Sequence, residues 1–119
     1  MPRVADYVII RDSWDLDNSA TNPNTFTVPN NIDVGSRCVL SFMFDVETLG
    51  AMEFWIAING TDVWSWSATG SASPPMRCMQ EVVASQIVRP GENILQFGSA
   101  GDWRTIRLSD IVLWIQVNV

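Results

Sequence analysis

The sequence predicts a single all-β domain, an antiparallel β-sandwich of about eight strands over residues 1–119. Three observations predict this fold class. Apolar and polar residues alternate with a period of two in several segments, turn-forming sequences separate those segments, and no stretch carries a sustained helical stripe. The length of 119 residues is typical of one domain, and no internal repeat or linker divides it.

The three clearest strands lie at residues 36–46, 53–59 and 109–119, where every second residue is apolar. The side chains of a strand point alternately to its two faces, so each apolar set can line a single core. The expected core positions are Cys38, Leu40, Phe42, Phe44, Val46, Phe54, Ile56, Ile58, Ile111, Leu113, Ile115, Val117 and Val119.

Five weaker strands fit shorter segments of the chain. They are expected at residues 5–11, 25–28, 62–66, 82–88 and 92–98.

Local turn chemistry supports these boundaries. Arg89-Pro90-Gly91-Glu92 is a tight-turn sequence, because proline presets one central dihedral angle and glycine accepts a positive φ. Asn59-Gly60 ends an alternating strand in the same way, and the glycosylation sequon that it forms with Thr61 is better explained as a turn. Residues 77–85 are the best helical candidate, but they are few and rich in β-branched side chains.

Charge and composition exclude several classes of function. The formal net charge is −6, which disfavours nucleic acid and anionic membranes as partners. The sequence has no histidine and no lysine, so the usual general base, the usual metal ligand and a Schiff-base nucleophile are missing. No apolar run reaches membrane-spanning length, and no spacing singles out a pair of catalytic carboxylates. We therefore expect a binding protein, not an enzyme, with no inserted membrane segment.

Cys38 and Cys78 are either one disulfide or two small buried apolar residues, and the position of Cys38 inside an apolar run favours the second interpretation. The N-terminus shows no signal-peptide pattern. Residence in the cytoplasm is the default expectation, with export by a route that needs no cleaved signal as the alternative.

The order of two turn motifs resembles a known family. A strand ending in Ile58-Asn59-Gly60-Thr61 is followed, after a loop, by Val88-Arg89-Pro90-Gly91-Glu92-Asn93-Ile94-Leu95-Gln96-Phe97 and a terminal apolar strand. This order is similar to that of galactose-binding-like jelly-roll domains, which occur in lectins and in accessory domains of glycoside hydrolases. The resemblance covers roughly residues 36–119 and implies a jelly-roll-like sandwich that binds carbohydrate. It assigns no ligand residue, since the sugar sites of that family lie in variable loops.

Three segments are predicted to be long polar loops, at residues 12–24, 65–77 and 98–105. Four of the six tryptophans lie in or beside them, next to carboxylates and an arginine. An indole stacks on the apolar face of a sugar ring while polar groups orient its hydroxyls, so we expect a lectin-like, non-catalytic site here; the alternative is that these tryptophans cap the core. The expected ligand-binding residues are Asp12, Trp14, Asp15, Asp62, Trp64, Trp66, Asp102, Trp103 and Arg104.

The other two tryptophans, Trp55 and Trp114, lie on the face opposite the core in their strands. Exposed aromatic side chains on a sheet often mark a contact surface, so they are expected interface residues of a homo-oligomer. If their strands are neighbours, the pair would form one aromatic platform. This pair supports the alternative function, a structural or assembly subunit that binds protein partners. The other interpretation is that the domain itself covers both faces of the sheet.

The acidic run Asp12, Asp15, Asp17 and Asn18 has the oxygen ligands that calcium prefers. The EF-hand spacing is absent, so a solvated turn is the favoured interpretation and no cofactor is expected.

Overall fold

The structure is a computed structural model that describes residues 2–16 and 23–119. Every element in this part of the chain is a strand, and every strand pair is antiparallel, which confirms the predicted fold class. The six strands are β1 (Arg3–Leu16), β2 (Asn24–Val28), β3 (Cys38–Ile58), β4 (Thr61–Ala68), β5 (Arg77–Val83) and β6 (Gly91–Asn118).

The two longest strands, β3 and β6, each run through both layers of the sandwich. The first half of β3 pairs with β5 and with the second half of β6, which β1 flanks on its other side. The second half of β3 pairs with β4 and with the first half of β6, which β2 flanks. We call β1-β6-β3-β5 the first layer and β2-β6-β3-β4 the second layer.

This continuity explains why the strand count is six instead of about eight. The predicted strands at 36–46 and 53–59 are one strand, β3, and those at 92–98 and 109–119 are one strand, β6. Both strands pass from one layer to the other where their pairing register shifts, between Thr48 and Met52 of β3.

Gly101 permits the close contact between the two strands at that bend. Its φ is +97°, and a Cβ atom there would overlap the backbone of Ala51 and Met52. Only glycine combines that dihedral angle with the missing side chain.

Aromatic side chains from both layers interlock in the core. Phe44 of the first layer lies 5.7 Å from Phe54 and 5.3 Å from Trp64, both of the second layer, between ring centroids. Trp14 of β1 lies edge-on at 4.6 Å from Phe97 of β6. All the core positions predicted from the three clearest strands are buried except Val119, which is 62% exposed at the end of the chain.

Several local predictions were wrong. The strand predicted at 82–88 and the helical candidate at 77–85 are replaced by β5, Arg77–Val83, whose pairing with β3 overrides the weak local signal. The segment 98–105 is not a loop but the middle of β6, and residues 12–16 belong to β1. Exposed residues alternate with the buried Trp14 and Leu16 in residues 12–16, as expected of a strand that has one face in solvent, whereas Trp103 is the one buried residue of 98–105.

Cys38 and Cys78 are both unpaired, as favoured from the sequence, but only Cys38 is buried. Burial raises the pKa of the Cys38 thiol. Cys78 lies on the exposed face of the edge strand β5. Within residues 2–16 and 23–119, no helix has the length and apolarity to cross a membrane.

Candidate functional site

All four tryptophans that were expected in or beside loops lie in strands, and three of them have their rings in the core. Trp14, Trp64 and Trp103 are 4%, 8% and 6% exposed. Trp64 packs edge-on against Phe42 at 5.0 Å between ring centroids. Burial leaves these indoles no free face on which a sugar ring can stack. These three tryptophans therefore stabilise the core, as in the alternative interpretation, and do not form a sugar-binding site in loops.

The polar residues predicted to surround these tryptophans lie at separate places. Asp15 of β1 forms an ion pair with Arg107 at 3.6 Å, and Arg104 of β6 forms one with Glu47 at 3.5 Å. Asp102 is exposed on β6 beside Gly50. The structure does not bring these groups into one concavity.

No calcium site forms in the described part of the acidic run. Asp12 and Asp15 are an odd number of positions apart in β1, so their carboxylates point to opposite faces. Asp17 and Asn18 lie outside the described residues. Among residues 2–16 and 23–119, no group of three or more His, Cys, Asp or Glu side chains is placed to hold a metal ion.

The strongest candidate is the outward face of the second layer, around Trp55. Trp55 in β3 pairs with Ser65 of β4 on one side and with Gly98 of β6 on the other. A Cβ atom at Gly98 would overlap three atoms of the Trp55 indole, so the ring lies across the glycine. The indole packs on the backbone of the glycine, and Trp55 remains partly exposed.

Small and polar side chains surround the Trp55 indole. Glu53, two positions before Trp55, has Ser67 and Ala100 as its cross-strand neighbours. Ala57, two positions after Trp55, has Asp62 and Gln96 as its own. We call this surface the Trp55 face; it consists of Glu53, Trp55, Asp62, Ser65, Ser67, Gln96 and Gly98.

A concavity of about 570 Å³ lies on this face, lined by Glu53, Trp55, Asp62, Ser65 and Ser67 together with parts of Phe54 and Trp66. A second concavity of about 550 Å³ adjoins it and shares Glu53 and Ser67. Of the residues predicted to bind ligand, Asp62 and Trp66 are among the lining residues, but Trp66 lies on the core-facing side of β4, opposite Ser65 and Ser67. Trp66 is half-buried, with its ring 5.4 Å from that of Phe44.

The chemistry of the Trp55 face is that of a binding surface. One indole supplies an apolar plane, and carboxylates, hydroxyls and an amide supply hydrogen-bonding groups around it. Neither Glu53 nor Asp62 has an ion-pair partner within the described ranges. Both carboxylates are thus free to accept hydrogen bonds from a ligand.

Trp114 belongs to a different surface. It is 47% exposed on the outward face of the first layer, where its ring lies 5.5 Å from that of Tyr7 and its indole N–H donates to Ser41 Oγ at 3.2 Å. Its neighbour in β3 is Val39, 16 positions from Trp55. The expected joint platform of Trp55 and Trp114 is wrong: their strands are neighbours, but the tryptophans lie in different layers.

Sequence reasoning found Trp55 but assigned it to a subunit interface, and it missed Glu53, Ser65, Ser67, Gln96 and Gly98. A usable signal was present. Glycine inside a strand often marks a close approach of another group, and Gly98 follows the alternating segment that ends in Phe97. Its partner in the sheet was not readable from the sequence, because register depends on the tertiary pairing.

Comparisons with known proteins bear on the fold. No protein-family model matches the chain, and no curated protein matches it in sequence. Dimeric latent PorU from Porphyromonas gingivalis is 11% identical with a TM-score of 0.76, over 98% of this chain and 13% of that chain. Eiger TNF from S. frugiperda is 9% identical with a TM-score of 0.51, over 100% and 94% of the two chains.

A third similar structure is the CBM36-1 domain of a multidomain xylanase from the hindgut metagenome of Trinervitermes trinervoides. It is 10% identical with a TM-score of 0.48, over 94% of this chain and 96% of that chain. The chain spans only 13% of the length of the PorU chain. The jelly-roll-like sandwich that the family resemblance implied is confirmed at the level of the fold.

Proposed function

We propose that this protein binds carbohydrate without chemical conversion, and that Trp55 is the residue on which a sugar ring stacks. One observation carries the proposal: the indole of Trp55 lies across Gly98 on an open sheet face, within a rim of hydrogen-bonding side chains. A pyranose has an apolar C–H face and a polar edge, so an indole with surrounding acceptors and hydroxyls is complementary to it.

The rim residues divide into two kinds of partner. The carboxylates of Glu53 and Asp62 accept hydrogen bonds from sugar hydroxyls, and bonds to charged acceptors are the stronger ones. Ser65, Ser67 and Gln96 both donate and accept. Because the ring rests on the sheet backbone, it is oriented before the ligand arrives, which lowers the entropic cost of binding.

The test is a binding measurement on a matched pair of variants. We expect Trp55→Ala to weaken the affinity for a responsive sugar tenfold or more, equivalent to about 1.4 kcal/mol. Trp114→Ala, which removes an exposed indole from the other layer, should leave that affinity unchanged. A glycan array identifies the sugar, and isothermal titration calorimetry gives the affinities.

Two results would count against the proposal. One is the absence of any response across a broad panel at millimolar sugar. The other is an equal loss of affinity in Trp55→Ala and Trp114→Ala, which would place the sugar away from the Trp55 face.

Self-association is the second candidate function, and a row of apolar side chains favours it. Tyr7, Trp114, Val39 and Val82 are successive cross-strand neighbours on the outward face of the first layer. Tyr7, Trp114 and Val82 are 54%, 47% and 57% exposed. The row carries no charge, so two copies of a chain with net charge −6 can approach each other there with least repulsion.

We propose a second copy of this chain as the occupant of that row, paired about a two-fold axis. A row of four residues is small beside the roughly 20–30 residues per side of a standard interface, so the dimer is weak. Analytical ultracentrifugation at about 1 mM protein should detect it, because a dissociation constant of about 1 mM corresponds to a binding free energy of about −4 kcal/mol. Trp114→Ser should abolish it; a strictly monomeric wild type at that concentration would exclude it.

A further inference from the structure

The second concavity extends the Trp55 face along the strands. It is lined by Ala51, Met52, Glu53 and Ser67 with Ala68, Thr69, Ala100 and Gly101, and it shares Glu53 and Ser67 with the concavity beside Trp55. The two therefore form one groove over β3 and β4. The interval from Asp62 to Thr69 spans roughly 23 Å at strand geometry.

The far end of the groove has small side chains. Ala51, Ala100 and Gly101 leave the space above the sheet open there, in contrast to the indole of Trp55, which stands at the level of Ser65 near the middle of the interval. A groove of this length with one stacking platform and one open extension accommodates several linked sugar rings, not one terminal residue.

The charge of the groove restricts the class of sugar. Its described lining contains two carboxylates, those of Glu53 and Asp62, and no arginine. Arg104, three positions after Gly101 in β6, forms an ion pair with Glu47 at 3.5 Å. The described lining therefore offers no positive charge to a uronate or sulfate, and the two carboxylates repel such groups.

We infer that the ligand of the Trp55 face is a neutral, linear oligosaccharide that lies along the groove between Asp62 and Thr69 and crosses Trp55. This inference rests on the proposed sugar-binding function and adds the ligand's length and charge. One ring stacks on Trp55, and the following rings extend over Glu53 and Ser67 toward Ala51 and Thr69. Glu53 and Asp62 weaken the binding of sugar chains that carry carboxylate or sulfate groups.

The first test is a length series. Neutral gluco-, xylo- and manno-oligosaccharides of increasing length are titrated into the full chain, and the affinity for the bound series should rise at least tenfold between monosaccharide and tetrasaccharide. Ala100→Phe blocks the groove beside Glu53, one step along the sheet face from Trp55, and should return the tetrasaccharide affinity to within threefold of the monosaccharide value. Ala84→Phe, an exposed alanine elsewhere, is the control.

The second test concerns charge. An oligogalacturonate of matched length should bind at least tenfold more weakly than the neutral chain at low salt. Glu53→Gln combined with Asp62→Asn should reduce that difference, and so should high salt, because exposed charges are screened. Thermal unfolding of each variant verifies that the fold is retained.

The outcomes separate the two proposals. Equal affinity for monosaccharide and tetrasaccharide, or equal affinity for neutral and anionic chains, overturns the groove inference while sugar binding at Trp55 stands. Loss of binding in Trp55→Ala with a length series that is insensitive to Ala100→Phe does the same. Failure of every saccharide to bind overturns both.

Discussion

The indole of Trp55 occupies the space where a side chain at Gly98 would stand. The two residues are cross-strand neighbours of β3 and β6 in the second layer. An aromatic ring laid on a glycine restores the side-chain packing that glycine lacks, so the pair stabilises the sheet and orients the proposed binding surface together.

Gly98→Ala should disturb this pair, because the new methyl group overlaps the indole. Without that overlap, alanine would stabilise a strand interior over glycine by about 0.5–1 kcal/mol. We therefore expect Gly98→Ala to lower the melting temperature in the wild-type background but to raise it when Trp55 is also alanine. Differential scanning fluorimetry of the double-mutant cycle measures the coupling between the two substitutions. A coupling near zero would contradict the packing of the Trp55 indole on Gly98.

Asn93→Ala should destabilise the fold strongly. Asn93 is fully buried; its amide donates to the carbonyls of Arg89 and Gly91 at 2.8 and 3.0 Å. Its Oδ1 accepts from Asn59 Nδ2 and from the Arg89 backbone N–H at 2.8 and 3.0 Å. Loss of these bonds leaves buried polar groups without partners. We expect the free energy of unfolding in urea to fall by about 2–4 kcal/mol. Gln96→Ala, an exposed amide in the same strand, is the control and should cost under about 0.5 kcal/mol.

Gly101→Ala tests the bend between the two layers. The substitution combines a φ of +97° with overlap on the backbone of Ala51 and Met52, and backbone cannot move aside as a flexible side chain does. We expect a loss of about 2 kcal/mol or more in unfolding free energy. Gly70→Ala provides the comparison, because a Cβ there meets nothing within 4 Å. Equal effects at both positions would argue against the close approach at the bend.

The ion pair between Arg3 and Asp33, 3.0 Å long, should make stability sensitive to acid. Partial desolvation opposes ionisation of Asp33, but hydrogen bonds from Arg3, Gly35 and Ser36 and the charge of Arg3 outweigh it and hold its pKa below the usual 3.8. Because the folded state favours the ionised carboxylate, this contribution is complete above pH 3.8 and is lost as pH falls through the lowered value.

Asp33→Asn is the matching variant. Its unfolding free energy should lie below that of the wild type by a constant amount from neutral pH down to about pH 5, and the two curves should converge below pH 3.8. Urea unfolding at a series of pH values checks this. A difference that persists unchanged in acid would show that the Asp33 charge is not responsible.

The motif on which the family resemblance rested has a physical basis in this fold. Asn59 Nδ2 donates to the carbonyl of Ile87 and to Oδ1 of Asn93, and Asn59 Oδ1 accepts from the backbone of Ile94. The two asparagines thus join the end of β3 to the turn before β6. The sequence predicts two separate turns, whereas in the structure the two asparagines belong to one hydrogen-bonded network that sets the register of the second layer.

The sequence by itself determined the fold class, the core faces of the long strands and the outward position of Trp55, because the period-two alternation of a strand is a local property. Only the tertiary structure decided that Trp14, Trp64 and Trp103 are buried, since a pattern of residues does not state what covers them. It also decided that Trp55 and Trp114 lie in different layers, because β3 and β6 continue through both. The local sequence determines which side chains share a face of a strand. Whether that face contacts solvent, the core or a glycine of a neighbouring strand depends on contacts between residues far apart in sequence.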